Sequence, residues 1–159
     1  MLPELLAIAH GFATGDRFLN SLVGDFSAAD WQVRDPAGHS PRWLVGHLAA
    51  TRSRVLALTG LALEPAPWEK AFARGTAAAE IPEDLDMAEV VRAFHATQPL
   101  LAARWDILGA AELAAPLGRT LPNGSDTVGG ALEFLAWHEA YHLGQLGLMR
   151  RLAGKPGLA

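Results

Sequence analysis

Apolar residues recur along this chain at alternating spacings of three and four, the mark of helices with one buried face. Leu5, Ile8, Phe12, Gly15, Leu19 and Leu22 form the first stripe, which predicts a helix from Pro3 to Val23 with proline in its first turn. A second stripe, Leu44, His47, Leu48, Thr51, Val55 and Leu58, follows Ser40-Pro41, a capping residue and a proline suited to the first helical position. Gly60 marks its end. A third stripe of Met87, Val91, Phe94, Leu101, Trp105 and Leu108 predicts a helix over Asp86 to Leu108, kinked near His95 to Gln98 by Pro99. The fourth stripe is Ala131, Leu135, His138, His142, Gln145, Met149 and Leu152, for a helix from Val128 to Leu152.

Between these lie irregular stretches. Ser27 to His39 is long enough to cross one end of the fold. Leu61 to Asp86 is punctuated by Pro65, Pro67, Gly75 and Pro82, with a short helix expected near Trp68 to Arg74. Ala110 to Asp126 carries the turn signal Asn123-Gly124, and Leu117 to Leu121 could pair briefly with Thr127-Val128, too little for a sheet. Four amphipathic helices without convincing strands predict an all-α four-helix bundle, one domain over residues 1–159.

Composition narrows the chemistry. Half the residues are hydrophobic, enough for a sizeable core. A net charge of -4 gives no reason to expect nucleic acid or an anionic membrane as partner. There is no cysteine, so a disulfide, a thiolate ligand and a cysteine nucleophile are all excluded. Any metal must be held by His, Asp, Glu or water. Met1 to His10 lacks the basic and apolar regions of a signal peptide, and no run of about 18 apolar residues exists, so a cytoplasmic protein is expected.

His138 and His142 stand four apart and share one helix face, where a single metal ion can bridge them. With Glu139 they spell H-E-x-x-H, the pattern of zinc proteases. That reading needs a further ligand downstream, and Leu143 to Ala159 contains no His, Asp or Glu. Glu139 lies beside the stripe and reads as a solvated bystander. His47 sits at the centre of the second stripe and is the expected third ligand, with His95 the next candidate. Three separate core histidines would each need a hydrogen-bond partner or lose about 1–3 kcal/mol. One shared divalent ion satisfies all three and leaves coordination positions open for chemistry.

Trp43-Leu-Val-Gly-His47-Leu48, together with His138-Glu-Ala-Tyr-His-Leu-Gly-Gln-Leu146, resembles the DinB-like superfamily, which includes bacillithiol- and mycothiol-dependent transferases. The resemblance implies up-down-down-up topology with long crossovers and a homodimer. It implies a zinc or nickel ion on His47, His138 and His142, with Gln145 supporting the site rather than ligating. The expected chemistry is transfer of a low-molecular-weight thiol, deprotonated at the metal, to an electrophile, in detoxification or stress response. Arg42, Arg52, Arg54, Arg150 and Arg151 are available to an acidic thiol, although most read as solvated charges. Two alternatives stand beside it: a metal-dependent hydrolase with Glu139 as base, and a non-catalytic metal- or ligand-binding protein.

Overall fold

Three of the four long helices start where a side chain takes up an otherwise free backbone N–H. The computed structural model describes residues 1–73 and 81–158. Helix α1 spans Pro3–Val23 and has Pro3 in its first turn. Helix α2 spans Pro41–Leu58, and Ser40 Oγ accepts from Trp43 N at 3.2 Å. Helix α3 spans Met87–Trp105, with the Asp86 carboxylate accepting from Ala88 N at 2.8 Å. Helix α4 is the short Ala110–Ala114. Helix α5 spans Val128–Leu152 behind a Thr127 cap on Gly130 N. Two single 3₁₀ turns, Asp30–Gln32 and Glu69–Phe72, lie in the long connections.

The predicted elements stand, with local differences. Helix α3 passes through Pro99 without interruption and stops at Trp105 rather than Leu108. Ile107 N and Leu108 N both turn back to Arg104 O, closing the last turn. Gly109 is then extended and gives its N–H to Glu112 Oε2 at 2.9 Å, which starts α4 inside the expected irregular link. The rest of that link is a narrow loop over Asn123-Gly124. Leu117 N meets Asp126 O, Leu121 N meets Ser125 O, and Pro116 bridges Thr127. The helix expected near Trp68 is the Glu69–Phe72 turn; Arg74 and Gly75 lie outside the described residues.

Side-chain contacts give the helix directions. Gly11 approaches Ala136, Gly15 approaches Glu139 and Leu22 approaches Gly147, so α1 and α5 run parallel. Arg42 bonds the Pro82 carbonyl and Arg104 bonds the Thr59 carbonyl, so α2 and α3 also run parallel. Phe12 stacks on Trp105 while Asp16 meets His95, so α1 opposes α3. The result is the up-down-down-up bundle.

Its core has two apolar halves. Leu19, Leu22, Leu44, Leu48, Val90, Phe94 and Leu146 fill one; Leu5, Phe12, Val55, Leu56, Leu101, Trp105 and Leu132 fill the other. A polar layer centred on Arg52 separates them. None of the helices among the described residues is long and apolar enough to cross a membrane.

Candidate metal centre

Helices α2 and α5 face each other across a seam, and the seam carries imidazoles. His47 is buried on α2; His138 and His142 are partly buried on α5, one turn apart. His138 Nε2 lies 3.3 Å from His47 Nε2 and 3.0 Å from His142 Nε2. The ligand atoms of all three fall within 4.8 Å of one another. The structure thus brings together the three histidines singled out in the sequence. It leaves out the other candidate: His95 pairs with Asp16 at 2.8 Å, between α1 and α3.

The outer nitrogens settle the tautomers. His47 Nδ1 lies 2.9 Å from the Phe72 carbonyl, which can only accept, so Nδ1 carries the proton and Nε2 offers a lone pair. His142 Nδ1 donates to Gln145 Oε1 at 2.6 Å, with the same consequence. Gln145 Nε2 in turn donates to the Tyr141 hydroxyl oxygen at 3.5 Å. Burial pushes the His47 imidazole below its ordinary value and takes His142 down to about 4, although the bonds to Phe72 and Gln145 pull the other way. Both rings are therefore neutral near pH 7.

This donor set fits a divalent ion. Two lone pairs, from His47 and His142, converge on His138 Nε2, which can bring at most one proton to them. A cation at their meeting point satisfies all three Nε2 atoms. Nitrogen ligands about 2.0–2.1 Å from a tetrahedral ion sit roughly 3.3 Å apart, close to the two spacings that His138 Nε2 makes. His47 and His142 make the outer bonds, to the Phe72 carbonyl and Gln145 Oε1, that orient metal-bound imidazoles.

Local packing holds the histidines in place. Trp43 stacks on His47 with centroids 4.7 Å apart and planes 9° apart. Gly46 lets the Phe72 ring lie directly on α2; a Cβ there would come within 2.3 Å of the ring. That seat sets the Phe72 carbonyl against His47.

Glu139 is not the solvated bystander that its place beside the stripe suggested. It is 2% exposed, and its carboxylate receives Arg52 Nε at 2.8 Å and Nη2 at 2.7 Å. Burial pushes its carboxyl up, against the pull of Arg52. Gly15 makes room, since a Cβ there would meet Oε1 at 2.1 Å. Nor is Arg52 a solvated charge. It is 0% exposed, lies 3.7 Å over the Phe94 ring, and also reaches Phe12 O, Asp16, Thr97 and Gln98. Arg150 is buried too and forks onto Asp25, whereas Arg54 is exposed. The buried face of α5 takes in Ala131 and Met149 of the histidine stripe and extends one step round from it to Leu132, Glu139, Leu143, Leu146 and Arg150. The signal for Glu139 was its apolar spacing to Leu132, Leu143 and Leu146.

A model of the DinB superfamily matches residues 13–146. Among solved structures, YfiT from Bacillus subtilis, described as a probable metal-dependent hydrolase with an unusual four-helix bundle topology, superposes with a TM-score of 0.67 at 18% identity. The alignment covers 94% of this chain and 87% of that one. No curated protein matches.

Proposed function

The chain belongs to the DinB superfamily, and from that premise we propose a divalent metal centre, zinc or nickel, on His47, His138 and His142 that serves thiol transfer. The observation that carries this reading is the convergence of three imidazole Nε2 atoms, two of them fixed as lone-pair donors by Phe72 and Gln145. A divalent ion held by three neutral ligands would act as a Lewis acid with undiminished charge, favouring a thiol in its thiolate form. The chain has no cysteine, so the sulfur comes from a small molecule. Phe72 and Gln145 keep the rings in one tautomer, and Trp43 covers one face of His47. With the ion bound, the thiol proton would pass to solvent and the sulfur would bond to the electrophilic carbon of a second substrate, whose leaving group departs with its electron pair or whose π-electron pair takes up a proton.

A metal-dependent hydrolase is the second reading, favoured by the description of YfiT. Against it stands Glu139, whose carboxylate is committed to Arg52 inside the core and is not placed to act as a base. A non-catalytic binding protein would use the same centre without turnover.

Protein purified without a metal-affinity tag should carry about one divalent ion per chain by elemental analysis, and His47→Ala should lose it. Full retention in that variant would remove His47 from the centre. A thiol panel with monochlorobimane should give metal-dependent conjugation. Ester turnover without thiol would favour the hydrolase, and no turnover of either kind the binding protein.

A further inference from the structure

Two of the largest exposed apolar side chains lie on the helix that carries two of the histidines, beside them. Trp137 is 60% exposed and Tyr141 53%. With Phe134 they occupy positions i, i+3 and i+7 of α5, one continuous strip along the rim of the triad. The rings are ordered against each other. Trp137 stacks on Tyr141 at 5.6 Å and 22°, and Phe134 lies 5.8 Å from Trp137. The strip also touches the imidazoles: Phe134 is 6.2 Å from His138, and Tyr141 is 5.2 Å from His142. Gln145 links the two rings, accepting from His142 Nδ1 through Oε1 and donating to the Tyr141 hydroxyl oxygen through Nε2.

We propose that Phe134, Trp137 and Tyr141 form the platform on which a planar aromatic co-substrate stacks beside the three histidines. The proposal rests on reading those histidines as the reactive centre. Trp137 and Tyr141 contribute little to the core and keep ring area open to solvent, while a rigid helix and mutual stacking hold their orientation. Open aromatic faces recognise flat π-systems by offset stacking, at little cost in side-chain entropy because each ring has only two torsions. A planar ring on this strip lies within one side-chain length of His138 and His142, where its reactive carbon can meet the sulfur. A bulky aliphatic group of equal size has no flat face to offer.

The test uses the full chain with one equivalent of zinc, titrated calorimetrically with 2-naphthol and with 1-adamantanol, which matches it in carbon number but is not flat. We expect 2-naphthol to bind at least tenfold more tightly. Trp137→Ala and Tyr141→Ala should each weaken it about tenfold, Trp137→Phe should retain most of the affinity, and metal content should be unchanged in the two Trp137 variants. Equal affinity for the two probes overturns the proposal, as does unchanged 2-naphthol binding in both alanine variants. So does a dimer that either alanine variant turns into a monomer in size-exclusion chromatography, which would assign the strip to self-association. Ring-dependent binding without any thiol turnover would support the platform and count against the transferase alone. Thiol turnover with ring-independent binding would do the reverse.

Discussion

Removing one side of the Arg52–Glu139 pair strands the other charge in the core. Arg52→Met or Glu139→Gln should cost about 3–5 kcal/mol in urea unfolding, as for other broken buried pairs. Arg52→Met/Glu139→Leu should recover much of that loss, because no charge is then left behind; a double variant as unstable as the singles would contradict this. Neutral imidazoles set a pH dependence of opposite origin. In the unfolded chain His142 titrates near the ordinary value of 6.5, whereas in the folded chain it takes a proton only below about 4. Between those values the unfolded chain binds more protons, so the stability of the metal-stripped protein rises with pH and is lost as pH falls towards 4. Urea midpoints of that protein should fall across the window, and more shallowly in His142→Asn; identical slopes would count against His142 as the source. The three histidines were legible because imidazoles on apolar stripes are conspicuous. Arg52 and Glu139 were not, since both residue types are almost always exposed and only the partner across the seam makes burial affordable.

The start of α2 was readable to the residue because the capping chemistry at Ser40-Pro41 is local. The phase of α5 was not. Leu132, Leu135, Leu143 and Met149 lie on one side and Phe134, Trp137, Tyr141 and Leu148 on the other, so periodicity alone does not choose a face. Helix α4 escaped notice because five residues are too few for a repeat. The fit between α2 and the Glu69–Phe72 turn was also invisible, since it depends on what Gly46 lacks. Gly46→Ala places a methyl group where the Phe72 ring now sits. The ring must move and take the carbonyl on His47 with it. We expect a loss of about 1–3 kcal/mol in stability and at least tenfold weaker zinc binding in chelator competition. A variant with reduced melting temperature but unchanged zinc affinity would separate the ring from the ligand.

Across the whole molecule, the polar layer that divides the core adjoins the triad on α5, where Glu139 directly follows His138 and receives Arg52. Helix count followed from the stripes alone. Helix direction did not, because connections this long are compatible with more than one topology; it was expected only from family resemblance. One support of the centre belongs to none of the long helices: the Phe72 carbonyl, delivered by the connection after α2. A single glycine inserted between Lys70 and Ala71 should lower zinc affinity tenfold or more. The same insertion between the exposed Leu63 and Glu64 should leave affinity intact and cost under about 1 kcal/mol. Equal effects at the two places would show that the carbonyl does not matter. Every amino acid supplies a carbonyl, so this contact is written into the spacing of the chain rather than into any one letter. Substitutions scanned through Lys70 and Ala71 would leave it unseen, whereas a change of length there would reveal it at once.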